Sequence, residues 1–126
     1  MLKDKASSAI VAVKDLTRAR NFYETTLGLE VDQAEGDQVI MFRTGATRLG
    51  VYVSEFAGTN QANAAVWGVG DDLEAIVGDL AAKGVAFEHY DMPDVTFSGG
   101  IHRAGEFRMV WFKYPDGNIL HLNSGT

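Results

Sequence analysis

The chain carries one pattern twice. Ser8-Ala-Ile-Val-Ala-Val-Lys-Asp-Leu16 runs from an apolar stretch into Asp-Leu and an amphipathic segment. Ala65-Val-Trp-Gly-Val-Gly-Asp-Asp-Leu73 does the same, with Asp15 and Asp72 standing 57 positions apart. Each amphipathic segment ends on Gly followed by an apolar residue, Gly28-Leu29 and Gly84-Val85. A repeat of this length means two copies of one supersecondary unit, neither of which buries its apolar face alone.

Residues 8–13 are rich in β-branched and small apolar side chains and read as a strand. Asp15 is placed to cap the helix that follows, where a carboxylate accepts free amide hydrogens and complements the helix dipole. Leu16, Ala19, Phe22, Tyr23, Thr26 and Leu27 recur at helical spacing. Residues 30–34, 39–43 and 48–53 read as three short strands, separated by the turn signals Glu35-Gly-Asp37 and Thr44-Gly-Ala46. Residues 56–63 form a polar connector. The second copy then offers a strand at 64–69, a helix at 71–83, and strands at 85–88, 107–113 and 118–123. In its last hairpin, Tyr114-Pro-Asp-Gly117 is a turn in which Pro sets φ and Asp-Gly accepts unusual backbone angles. The expectation is a single domain, 1–126, with internal modules 6–56 and 63–125.

The copies differ in length. Phe42-Arg-Thr-Gly and Phe112-Lys-Tyr-Pro-Asp-Gly correspond but stand 70 positions apart, not 57. The additional residues fall within 90–106, which hold Ser98-Gly-Gly100, His102, Arg103 and Gly105. This insertion is either a surface hairpin or a lid over a pocket, since long loops in compact domains are often functional.

Composition excludes several classes. A chain of 126 residues, 46% hydrophobic and 22% charged, has the make-up of an ordinary globular domain. Its net charge of −6 and lack of basic clusters argue against nucleic acid as a partner. The absence of cysteine removes disulfide scaffolds, Cys-type zinc sites and thiol catalysis. The first apolar run, 9–13, is too short for a signal-peptide core or a membrane span, so a cytoplasmic location with no membrane partner is expected.

The string Val13-Lys-Asp-Leu-Thr-Arg-Ala-Arg-Asn-Phe-Tyr-Glu-Thr-Thr-Leu-Gly-Leu29 resembles the opening of the vicinal oxygen chelate superfamily, which includes glyoxalase I, bleomycin-resistance proteins and extradiol dioxygenases. Pro115-Asp-Gly-Asn-Ile-Leu-His121 resembles its closing hairpin. The resemblance covers essentially the whole chain. It implies an α+β fold of two βαβββ modules in tandem, forming cup-shaped mixed sheets with helices on the outer face. It also implies a homodimer. Metal-dependent members place ligands on the first and last strands of each module. At the matching positions this chain has Ser8, Ala65 and His121, and Leu49 to Val53 for the remaining one. Alanine cannot ligate, a neutral serine is a poor ligand, and one imidazole does not hold a divalent ion tightly. No metal and no other cofactor is expected.

Strand alternation indicates what the cup offers instead. If Ser8 faces it, so does Ile10, and Tyr52 joins them from the first module. Ala65 and Trp67 line it from the second, with His121 and Asn123 from the last strand and His102 and Arg103 from the insertion. Trp67 suits planar or cationic ligands, or is an ordinary core residue. Trp111, inside the apolar run Met109-Val-Trp-Phe, reads as core. His121 is a polar strand-end residue, a hydrogen-bonding group or general base in a metal-free pocket, or a ligand. The function expected is metal-independent binding of a small aromatic or cationic molecule, as in the drug-binding resistance proteins. The alternative is a glyoxalase- or dioxygenase-like enzyme, a lyase or isomerase, with a non-standard catalytic site built on His121.

Overall fold

The computed structural model describes residues 1–125, which divide into two compact units, one over Met1–Gly58 and the other from Thr59 onward.

In the first unit β1 (Ala9–Val13) leads into α1 (Leu16–Arg20), and β2 (Glu30–Glu35), β3 (Val39–Thr44) and β4 (Thr47–Val53) follow. The strands form a mixed sheet in the order β1-β4-β3-β2, with β1 parallel to β4. Asp15 caps α1 as expected: its carboxylate accepts from the Arg18 amide at 3.1 Å. The helix does not stay α. Asn21–Thr26 is a π-helical turn, with the Leu27 amide bonded to the Phe22 carbonyl five residues back. The wider turn lets two successive rings, Phe22 and Tyr23, both be buried. Gly28, at φ +75°, ends it and returns the Leu29 amide to the Tyr23 carbonyl.

In the second unit β5 (Asn63–Gly68) leads through a 3₁₀ turn, Gly70–Asp72, into α2 (Leu73–Ala82). Gly84, at φ +88°, closes α2 as Gly28 closes its counterpart, with the Val85 amide on the Leu80 carbonyl. Then come β6 (Thr96–Ser98), β7 (Ile101–Ala104), β8 (Phe107–Lys113) and β9 (Ile119–Asn123). The sheet order is β5-β9-β8-β7-β6, with β5 parallel to β9. The fold is α+β, two related strand–helix–sheet modules in tandem.

One expectation for this unit needs correction and another is decided. Residues 85–88 do not form a strand; they make a single bridge, Phe87 to Phe112. Of the two readings of the insertion, the hairpin is the one seen: it holds the β6–β7 hairpin, which joins the sheet along β8. The two facts have one cause. β8 has one edge left after β9 pairs with it, and β7 takes its Phe107–Met109 end.

Alternation separates two faces on β8. Arg108, Val110 and Phe112 share one face, and Arg108 reaches Glu74 of α2, so this is the helix-covered side. Val110, Phe112, Leu120 and Leu122 are buried, as are Leu73, Val77 and Leu80 of α2. Met109 and Trp111 look the other way. The first sheet is organised similarly, with Val11, Val13, Ile40, Phe42, Leu49 and Val51 in the core.

Candidate functional site

In the first unit Ile10 pairs with Gly50 and Ala12 with Tyr52, on the face turned away from the core. Gly50 has no side chain, and Ile10 and Met41 close over it: a Cβ there would meet both at 3.2 Å. Ile10 is 60% exposed. Ser8 is exposed and stands one residue ahead of β1.

The second unit gathers more chemistry. His121 pairs with Trp111 across β9 and β8, and with Val66 on β5. His102 of β7 pairs with Met109 and Phe97, and Met109 with Asn123. Partners across a ladder share a face. His102, His121 and Asn123, expected together, therefore do lie on one face, along with Trp111. Arg103 does not join them. It pairs with Arg108 and lies on the helix-covered side.

Ala65 and Trp67 also depart from expectation. Strict alternation from Asn63 puts both on the His121 face. The register shifts between Asn63 and Ala65, and after this bulge Ala65 pairs with Leu120 and Trp67 with Leu122. One extra residue turns every later side chain over. Trp67 thus stands on the core side, and Val66, 58% exposed, takes its place.

Trp111, read as core from the sequence, is half-buried on the open face. Its ring is stacked on His121, with centroids 4.5 Å apart and planes at 21°. His102 and Tyr90 meet Trp111 edge-on, at 5.0 and 5.4 Å. The Trp111 indole N–H donates to Asn63 Oδ1 at 3.1 Å. The apolar run around Trp111 hid this, whereas its two-residue spacing from Met109 was a usable signal.

The hydrogen bonds dictate the tautomer of His121. The Gly125 amide can only donate, and it meets Asn123 Oδ1 at 2.9 Å. The other end of that amide, Nδ2, therefore faces His121 Nε2, at 3.3 Å. Nε2 accepts and is unprotonated, so Nδ1 carries the proton and donates to the Val110 carbonyl at 3.0 Å. His121 is 8% exposed. Burial lowers its pKa, opposed by the bond to Val110, so the ring is neutral near pH 7. His102 is wholly buried, and its Nε2 accepts from the Tyr90 amide at 3.0 Å. Burial lowers its pKa too; the backbone of Met109 and, less strongly, that of Tyr90 oppose this, while the charge of His89 adds to it.

The signature of the Glyoxalase/Bleomycin resistance protein/Dioxygenase superfamily matches residues 5–122. The chain belongs to this superfamily. No curated protein matches it in sequence. Solved structures of the superfamily's fold are similar to it over nearly their whole length. A genomically encoded fosfomycin resistance protein, FosX, from Listeria monocytogenes, complexed with Mn(II) and sulfate, is 15% identical, with a TM-score of 0.73. The match covers 98% of this chain and 91% of that one. Lactoylglutathione lyase from Agrobacterium tumefaciens is 18% identical with a TM-score of 0.68, over 95% of this chain and 92% of that one. An integron cassette protein from the Halifax Harbour sewage outfall metagenome is 16% identical with a TM-score of 0.70, over 96% and 98%.

A metal does not fit the residues this superfamily member offers. Among the described residues no three His, Asp or Glu side chains are grouped to hold an ion. Ala65 has no donor atom and lies on the opposite face from His121. Both nitrogens of His121 already have partners within the protein.

Proposed function

We propose that this superfamily member binds a small planar aromatic or cationic compound without a metal, on the Trp111 face of its second sheet. One observation carries the reading: aromatic and imidazole rings run across β7, β8 and β9 on a face where, among the described residues, no set of metal donors gathers. Such a surface, apolar with a few directed polar groups, is what small-molecule sites are made of. Val66, Met109 and Asn123 extend it beyond the rings. The superfamily's name includes bleomycin resistance, and relatives include fosfomycin resistance proteins. Both accord with a role in handling small toxic compounds. Isothermal titration against planar cations and neutral aromatics tests this. Binding lost in Trp111→Ala supports it; silence across the panel, with a chemical turnover found instead, overturns it.

A second reading is favoured by His121. A neutral imidazole with a defined tautomer and an unprotonated Nε2 is equipped to accept a proton once a substrate displaces the Asn123 amide from that lone pair. On this reading the chain is a lyase or isomerase of the glyoxalase type, and His121→Ala abolishes its activity. Metal analysis of protein purified without chelator separates this from a metalloenzyme.

We further propose a homodimer in the cytoplasm. β1 and β5 are sheet edges, and each exposes a large aliphatic side chain, Ile10 and Val66. The chain has no cysteine, and among the described residues no helix is long and apolar enough to cross a membrane. Sedimentation velocity gives the oligomeric state directly.

A further inference from the structure

The edge of β8 changes hands part-way along. At its far end the Glu88 amide donates to the Trp111 carbonyl at 2.8 Å, and Phe87 bridges Phe112. In an uninterrupted antiparallel ladder the next amide on that side, Tyr90, would meet Met109, two residues back along β8. But His102 of β7 already pairs with Met109. The Tyr90 amide is left without a ladder partner, and the His102 side chain supplies one, Nε2 accepting at 3.0 Å. Beyond it, residues 89–95 make one backbone–backbone bond among the described residues, the local turn from Val95 to Met92. Among the described residues, the segment's one hydrogen bond to the sheet therefore runs through this imidazole, beside ring contacts. It lies across the candidate site, with Tyr90 edge-on to Trp111 and His89 stacked on Phe97 at 4.1 Å.

We propose that His102 is a proton-operated pin that straps residues 89–91 over Trp111 when neutral and releases them when protonated. The inference concerns regulation of the site proposed above and takes its functional meaning from that reading. Protonation puts a hydrogen on Nε2, where it faces the Tyr90 N–H: donor then meets donor, and the bond is lost. The new charge has no counter-ion. Around His102 stand His89, Phe97 and Trp111, with Met109 across the ladder and His121 beyond Trp111. None is an anion. Asp91, the nearest acid along the strap, is exposed and lies 3.4 Å from His89. Glu88 is paired with Lys113 at 3.2 Å, and Arg103 and Arg108 lie on the other face of the sheet. A buried charge without a partner is costly, and moving the strap is the available relief.

The test needs no ligand, so its outcome is independent of whether a compound binds. In a Trp67→Phe background, Trp111 is the one remaining tryptophan. Lowering the pH from about 8 to about 5 is expected to red-shift its emission while far-UV circular dichroism stays constant. His102→Asn, whose amide oxygen accepts from Tyr90 without titrating, is expected to abolish the shift. In the unmodified protein, exchange of the Tyr90 amide, corrected for its intrinsic pH dependence, should accelerate about tenfold on loss of one hydrogen bond. An emission that stays flat, a shift that persists in His102→Asn, circular dichroism that collapses in step, or a Tyr90 amide equally protected at both pH values overturns the proposal.

Discussion

Trp67 and Trp111 stand on opposite faces of the same five-stranded sheet. Trp67 pairs with Leu122 and Trp111 is level with His121, one position along β9. The pair is a natural control for any ligand experiment. Trp111→Ala is expected to weaken binding by about tenfold or more, in line with the roughly 1 kcal/mol or more that an aromatic contact adds beyond its buried area. Trp67→Phe is expected to leave affinity unchanged within the error of a titration and to act on stability instead. Equal loss of affinity in both variants would argue against the Trp111 face.

Stability should fall as pH falls below about 6.5, the ordinary histidine value. Both His102 and His121 have folded-state pKa values below that of the unfolded chain, chiefly through burial. Between the two values the unfolded chain binds protons that the folded one refuses, which favours unfolding. The contribution is complete above about pH 6.5 and is lost progressively as pH drops toward the folded pKa values. Urea midpoints at mildly alkaline and mildly acidic pH measure it, and a midpoint that rises on acidification contradicts the burial of these rings.

Manganese, zinc or nickel should not raise the melting temperature. An ion at a hundred times its dissociation constant would stabilise the native state by about 2.7 kcal/mol, a readily measured shift. A thermal scan with each ion, against the same protein in chelator, is sufficient. A clear rise with any one would mean that a donor set assembles which the described residues do not show.

Gly100 should be far less tolerant than Gly99. Both have positive φ, +82° and +61°, so alanine at either costs about 1–2 kcal/mol of backbone strain. At Gly100 a Cβ also meets the Phe87 ring at 3.2 Å, whereas nothing lies within 4 Å at Gly99. Gly100→Ala should therefore be the less stable of the two in parallel denaturant melts. It should also disturb the Phe87 bridge, from which the strap departs.

Local rules carried most of the fold into view. Asp15 caps its helix, both Gly-apolar pairs end theirs, and the hydrophobic runs fall in strands at nearly the expected positions. These signals are legible because each is decided within a few residues. The site was less legible because two non-local events set it. One bulge after Asn63 moved Trp67 off the His121 face, and no propensity marks that step among the small residues Ala62 to Ala65. Competition for the edge of β8 brought His102 to the site, and it also left residues 85–88 as a bridge. A strand's existence is written in its own residues, while its partners depend on which edge is free.

The parallel pairings have a consequence for the order in which the molecule is made. In each unit the strand synthesised first pairs with the one synthesised last: Ala9 with Leu49 in one, Val66 with His121 in the other. The later strands of each sheet add in chain order, but the opening strand finds its partner only when the last one has left the ribosome. Each must hold its opening strand in waiting, the second for 55 residues against 40 for the first. Closing the longer loop is the slower event, so the sheet bearing Trp111 should be the last part of the nascent protein to become protease-resistant.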